Sequence, residues 1–231
     1  MFEIINEFPE SARRVLVVGA HPDDETLGPG GTLRRHALAG DAVYALCLCE
    51  NMSLRYGQAE QAGFDTAVHL REAARTLGFA GLQIVGFPDQ RLDEPPIVEV
   101  IRPIERAVKE LRPGVVYTHW WGDLNRDHKV VYEATLVACR FGATSVERLL
   151  AYETPSSTEI GVPYNFSPNY FVDITATLED KKRAIACYSS EMQAYPGPRS
   201  PGGLEDRART WGQGAGMAAA EPFHLLRSYW R

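Results

Sequence analysis

The amino-acid sequence predicts an α/β domain: a mostly parallel sheet with helices on both faces. Short β-branched apolar runs alternate with helical stretches along most of the chain, the pattern of strands joined by helical crossovers. The length, 231 residues, is long for one small domain and short for two, so a single domain over 1–231 is expected. Hydrophobic residues at 45% and charged residues at 23% match an ordinary soluble globular chain able to bury a core without disulfides.

Arg14 to Gly19 (RVLVVG) is the first buried strand, and the polar, Gly/Pro-punctuated segment Ala20 to Gly31 is a loop. Thr32 to Leu38 is helical with a stop at Gly40, and Ala42 to Cys49 is the second strand. A helical pattern runs from about Gly57 to Leu77, clearest over Ala67 to Leu77, and Leu82 to Phe87 is the third strand. Ile97 to Leu111 is a helix that Pro103 either kinks or divides. Val115 to Thr118 is the fourth strand, followed by a polar loop and a helix over Lys129 to Phe141. Strands at Leu149 to Glu153 and Tyr170 to Ile174 and a helix over Leu178 to Tyr188 close the regular part. The Pro/Gly-rich segment around 195–216 is expected to be irregular, either a linker or a lid over a site.

The formal charge of −6 argues against a nucleic-acid partner, which calls for a basic face. No run of about 18 apolar residues offers a membrane span, and the first residues lack the basic-then-apolar order of a signal peptide. Cys47, Cys49, Cys139 and Cys187 form no CxxC pair and fit reduced, buried thiols in a reducing cytoplasm. Cys47 and Cys49, two apart in a strand, should share one face.

In open α/β sheets, ligands bind beyond the carboxyl ends of the strands. Three loops there carry dense polar chemistry: after Gly19, after Phe87 and after Thr118. The first reads Ala20-His21-Pro22-Asp23-Asp24-Glu25-Thr26, and acidic side chains this close call for a counter-charge. His21 and Asp24, three apart in a tight turn, can face one divalent cation with Asp23 beside it. The loop after the fourth strand adds Asp127-His128 at the start of a helix. Two His and one carboxylate are a common catalytic zinc set with a position left for water, whose pKa the metal lowers toward about 7. Asp23 is then positioned to take the proton. An isolated HxxD is more often surface polarity or capping; its place at a strand end, together with the distant Asp-His pair, is what favours a metal site.

The stretch Val17-Val18-Gly19-Ala20-His21-Pro22-Asp23-Asp24-Glu25, continued by Leu27-Gly28 and Gly30-Gly31-Thr32-Leu33, resembles the signature of the LmbE-like, or PIG-L-type, N-acetylglucosaminyl deacetylases. The resemblance extends through Arg71-Glu72-Ala73-Ala74, Tyr117-Thr118-His119, Asp123 to His128, Phe171 to Ile174, Tyr188, Glu191 and Ala220 to Phe223, essentially the whole chain. It implies a Rossmann-like fold and zinc held by His21, Asp24 and His128, with Asp23 as general base. The implied reaction removes acetate from an N-acetylglucosamine-type conjugate, a small-molecule partner. It also maps sugar-contacting roles onto Arg71 and Asp89. Many relatives carry His where this chain has Asn125, an oxyanion-stabilising position. An amide can donate a hydrogen bond there but not a proton, so the acid–base work shifts to Asp23, and His119 is the alternative helper.

Asp127 either orients a neighbouring ligand or caps the following helix. Glu25 is expected to bind loop amides, and Trp120 and Trp121 either stack on a sugar or pack. His36, His69 and His224 are expected to be structural or surface residues, and the glycines at 212, 214 and 216 a flexible turn. Rival expectations are an amidase for another acyl group on the same scaffold and a metal-containing sugar- or nucleotide-binding protein. No GxGxxG follows the first strand, which disfavours nucleotide binding. A two-His, one-Asp set also accepts iron or cobalt, and a homo-oligomer stays open.

Overall fold

The computed structural model describes residues 1–50, 66–140 and 145–229. Its strands are β1 (Glu3–Ile4), β2 (Arg14–Gly19), β3 (Ala42–Cys49), β4 (Gly81–Phe87), β5 (Val115–His119), β6 (Arg148–Tyr152), β7 (Tyr170–Asp173) and β8 (Ala220–Ser228). Its helices are α1 (Asp24–Leu27), α2 (Gly30–Leu38), α3 (Thr66–Leu77), α4 (Ile97–Leu111), α5 (Arg126–Ala138), α6 (Leu178–Ala186) and α7 (Pro201–Ala215).

Among the described residues the strands form one sheet in the order β1-β4-β3-β2-β5-β6-β8-β7. The central five are parallel; β1 joins one edge antiparallel, and β8 and β7 continue the other edge antiparallel. Chain order runs outward from β2 through β3 to β4 on one side and from β5 to β6 on the other. The β2/β5 boundary is therefore the switch point of the fold, where a crevice opens beyond the strand ends.

Strand periodicity explains the two layers. In β2, Val15 and Val17 pack with Leu33 of α2, Leu70 and Leu77 of α3, Ala184 of α6 and Leu204 of α7. Leu16 and Val18 face the other way onto Val100, Ile104 and Val108 of α4 and Val131 and Ala134 of α5. Both faces being covered is what makes the strand sequences read as continuous apolar runs.

Several expectations change. The segment 20–31 holds α1 and the start of α2. Pro103 lies inside one continuous α4. The part of the helical pattern expected from about Gly57 that precedes residue 66, and Phe141 at the end of the helix expected from Lys129, lie outside the described residues. Cys47 and Cys49 do not share a face: the β3–β4 register shifts between them, and Cys47 joins one core layer while Cys49 joins the other. Cys47, Cys49 and Cys139 are buried thiols; Cys187 is half-buried.

The largest correction concerns 195–216. Most of it is regular, because Ser200 Oγ accepts from Gly203 N–H as the N-cap, Pro201 opens α7, and Gly216 closes it in the left-handed region at φ 73°. Gly212 and Gly214 are helical rather than a flexible turn. Arg207 and Trp211 of α7 then bind the Glu153 carboxylate beyond β6, tying the helix to the strand ends. No helix among the described residues is long and apolar enough to cross a membrane.

Candidate active site

The three polar loops noted in the sequence meet at the β2/β5 crevice. Beyond β2, the chain turns sharply: His21 N–H donates to Asp24 Oδ2 at 2.7 Å, and the Asp23 carbonyl accepts from Thr26 and Leu27. Asp23 itself is held at φ 129°, a conformation that favours glycine, at the entry to α1. Gln90 and Ser156, also at positive φ, adjoin the same site. Gly28 lets the turn after α1 lie on β6: a Cβ there would come 2.4 Å from the Tyr152 ring.

His21, Asp24 and His128 are all buried, and each offers a ligand atom within 4.8 Å of the others'. His21 Nδ1 lies 3.5 Å from Asp24 Oδ2 and His128 Nε2 lies 3.4 Å from Asp24 Oδ1. The far nitrogen of each ring faces carboxylate. His21 Nε2 is 3.1 Å from both Asp89 Oδ1 and Asp127 Oδ2, and His128 Nδ1 is 3.2 Å from Asp123 Oδ1. Asp123 is in turn fixed by the hydroxyls of Ser157 and Thr158. This is the arrangement that orients histidines toward a metal.

Electrostatics point the same way. Burial alone would depress the His21 imidazole, but Asp127, Asp24 and Asp89 outweigh it and raise its pKa well above the usual value. The centre thus demands positive charge. Asp24 Oδ1 is buried with no hydrogen-bond partner, and so is Asp89 Oδ2. A divalent cation between His21, Asp24 and His128 answers both features, so the donor set fits a metal. A second group, His21, Cys49 and Asp127, fits less well. Burial pushes the Cys49 thiol up to about 11, and as a neutral thiol it lies 3.7 Å from Asp127 Oδ2 as a donor.

Asp23 stands beside this centre with its two oxygens in different states. Oδ2 accepts from Arg199 Nη1 at 2.8 Å; Oδ1 is buried and has no partner. Burial raises its pKa to about 7, with the nearby Asp24, Glu25 and Glu191 carboxylates adding to the rise against the pull of Arg199. Arg199 also donates to Glu191 and to Ser156 Oγ. It was not singled out in the sequence, where it lies inside the Pro/Gly-rich run. Glu25 binds the Asp23 N–H, Thr26 and the Tyr188 hydroxyl, the loop-bracing role expected of it.

Other predicted site residues are placed differently. His119 is buried and its Nε2 accepts from Ala20 N–H at 3.0 Å, while Nδ1 sits 3.1 Å from Thr154 Oγ1. Burial, together with the neighbouring His128, pushes its pKa down to about 4. Its ring stacks on His128 at 3.8 Å, so it buttresses the centre as a neutral imidazole and has no free donor for an oxyanion. Asn125 Oδ1 accepts from Asp127 N–H and caps α5, and among the described residues no hydrogen bond links its side chain to His21, Asp24 or His128. Asp127 is therefore not the cap; it accepts from Gln90 and Leu92 N–H and faces His21. Asp89 touches His21, inside the site rather than on its rim. Arg71 pairs with Glu3 at 2.8 Å, and Glu3 pairs in register with Leu82 near the start of β4, away from the strand ends that carry the site. Trp120 is buried, whereas Trp121 is exposed against Tyr164.

The family described as PIG-L, GlcNAc-PI de-N-acetylase, matches residues 16–139. The chain is similar to the diacetylchitobiose deacetylase of Thermococcus kodakarensis, 32% identical over 200 residues that cover 81% of this chain and 73% of that protein. It is similar in structure to the conserved protein TT1542 from Thermus thermophilus, with TM-score 0.75 and 29% identity over 94% of this chain and 96% of the other. The 4-carboxy-2-hydroxymuconate hydratase GalB from Pseudomonas putida shares the fold at TM-score 0.73 and 20% identity, over 95% and 98% of the two chains. Because the matched stretch covers more than half of the chain and spans both parts of the candidate site, from the strand before His21 to the helix that carries His128, the chain belongs to the PIG-L family.

Proposed function

We propose that the protein is a zinc-dependent N-deacetylase that hydrolyses the acetamide of an N-acetylglucosamine-type conjugate, with His21, Asp24 and His128 as the metal ligands. A zinc ion held there would supply Lewis acidity, polarising the acetamide carbonyl and making water acidic enough to react near neutral pH.

Asp23 carries the proton. Its unpartnered Oδ1 takes one from the attacking water as the oxygen bonds to the acyl carbon, and the same oxygen returns it to nitrogen as the C–N bond breaks. The products are acetate and the free amine. A carboxyl group with a pKa near 7 is suited to both transfers, because it is neither too weak a base nor too weak an acid at working pH. Arg199 fixes the other oxygen and so decides which one faces the reaction. Asp89, Asp127 and Asp123 hold the two imidazoles in orientation.

The observation that carries this assignment is the asymmetric Asp23 carboxylate beside three convergent ligand atoms. Family membership and the diacetylchitobiose deacetylase relative support acetamide as the bond cleaved. The shared fold of a hydratase shows that the scaffold alone does not choose the reaction.

The test is metal analysis joined to an acetate-release assay over a panel of N-acetylglucosamine conjugates. Bound zinc, equal release of acetate and amine, loss of both on chelation and recovery on adding zinc are expected. Release that survives complete metal removal, or no release from any conjugate by zinc-loaded protein, would overturn the assignment.

A further inference from the structure

A second cavity, of about 590 Å3, lies between α2 and the strands β5, β6 and β7, apart from the crevice that holds His21, Asp24 and His128. Its volume falls within the range of small-molecule sites. Its floor includes Tyr117, two residues before the end of β5, and its rim includes Arg13 and Asp41, which precede β2 and β3. It therefore opens toward the amino ends of the parallel strands, opposite the candidate active site.

The charges in this cavity are unequally matched. Asp41 is occupied by His36 Nδ1 at 2.6 Å and by Arg13 at 3.5 Å. Asp173 Oδ1 accepts from both the N–H and the hydroxyl of Thr175. Two arginines are left with neutral partners. Arg35 donates to the Asp173 backbone carbonyl at 2.6 Å, and Arg148 donates to the Tyr170 hydroxyl at 3.3 Å with its guanidinium 6.0 Å from the centre of that ring. Neither forms an ion pair with a carboxylate among the described residues. On a chain of net charge −6, two cations facing one cavity without carboxylate partners are conspicuous. Guanidinium groups in such a setting match the forked oxygens of carboxylate or phosphate. Thr32, also on the wall, has a buried hydroxyl without a hydrogen-bond partner. Phe171, Val172 and Met217 add apolar surface, so the site suits an organic anion better than a bare ion.

We propose that this cavity binds a small organic dianion, a phosphate monoester or a dicarboxylate, clamped by Arg35 and Arg148. The two guanidiniums replace their neutral partners with charge-assisted bonds, and the carbon skeleton lies against Tyr170 and Phe171. The ligand would touch α2, which follows the metal-binding turn, and β5, whose last residue His119 stacks on His128.

Calorimetric titration with glycerol phosphate and, separately, with succinate tests this, using metal-free protein so that neither anion can bind through the metal. One of the two is expected to bind saturably at one site per chain with Kd at or below about 1 mM, and which one does so identifies the anion class. Arg148→Ala and Arg35→Ala are each expected to weaken that binding about tenfold, as loss of one charge-assisted bond should. Arg148→Lys, which keeps the charge but not the fork, should fall between. Asp24→Ala, at the other end of the sheet, should leave it unchanged. Unaltered melting temperatures of the arginine variants exclude misfolding as the cause. No saturable binding of either probe up to about 10 mM, or binding that the arginine substitutions leave intact, overturns the proposal.

Discussion

Two buried acidic groups lie within the same sheet architecture and differ in one respect. Glu221 on β8 is complete: Lys181 Nζ donates to Oε1 at 2.6 Å, Gly31 N–H to Oε1 at 2.8 Å, and Thr32 N–H to Oε2 at 2.7 Å. The ammonium also reaches the Gly28 carbonyl. The carboxylates at the β2/β5 crevice are incomplete, since Asp23 Oδ1, Asp24 Oδ1 and Asp89 Oδ2 are buried without partners. A buried polar atom left unpaired costs roughly 1–3 kcal/mol. The first group therefore pins α2 to the sheet, whereas the second leaves carboxylate oxygens open, which the proposed reaction would fill with a cation, a water and a substrate.

The largest expected effect separates the two by function. Asp23→Asn should lower kcat about a thousandfold while metal content stays at the wild-type level. Because burial raises the Asp23 pKa, the folded protein disfavours its charged form. The amide should accordingly leave the melting temperature at neutral pH equal to or above that of the wild type. A variant that loses metal along with turnover would make Asp23 a ligand and not a base.

The complementary substitution is Lys181→Met. It strands a buried Glu221 charge and should cost about 3–5 kcal/mol of stability, read by denaturant unfolding. Turnover per folded molecule should hold. Replacing both residues, Lys181→Met with Glu221→Leu, should recover much of the loss, as removal of a whole buried pair does. If turnover instead collapses at unchanged stability, Glu221 belongs to the reaction and the contrast fails.

A smaller effect is expected at Arg199. Arg199→Lys keeps a positive charge near Asp23 but cannot engage Asp23, Glu191 and Ser156 at once. A kcat about tenfold lower, near 1.4 kcal/mol, with KM and metal content unchanged, is the outcome of a positioning role. Loss expressed in KM alone would make it a substrate contact.

These residues also show what a sequence discloses. His21, Asp23 and Asp24 were legible because a strand and a tight turn place them together within four residues, and His128 because it opens a helix beyond another strand end. Arg199 was not, since it meets Asp23 across 176 residues through a Pro/Gly-rich segment. That segment hid α7 by its glycines, although Ser200-Pro201 before it and Gly216 after it carry the start and stop chemistry of a helix. β8 was hidden for a related reason: it contains Pro222 and the charged Glu221, and its place between β6 and β7 is set by long-range pairing. The bulge that sends Cys47 and Cys49 to opposite layers has no local signal. Arg71 followed the family resemblance, but its guanidinium satisfies Glu3 on an edge strand that sequence periodicity is too short to reveal.

The smallest effect tests whether Asn125 belongs with the complete group or the incomplete one. Its Oδ1 accepts from Asp127 N–H, and its own N–H donates to Asp123 Oδ1, so both contacts fix the start of α5. Removing a cap of this kind costs about 1 kcal/mol. Asn125→Ala should therefore lower the melting temperature modestly and reduce kcat only slightly, through loosened placement of Asp127 and His128. Asn125→Asp should restore the cap and with it both quantities, because an aspartate accepts the same N–H. An oxyanion donor would behave oppositely: alanine would lower kcat by about a hundredfold or more, and aspartate, which has no N–H to offer and brings a like charge, would not rescue it. Rescue by aspartate thus assigns Asn125 to the architecture that presents His128, and failure of rescue at restored stability assigns it to the reaction.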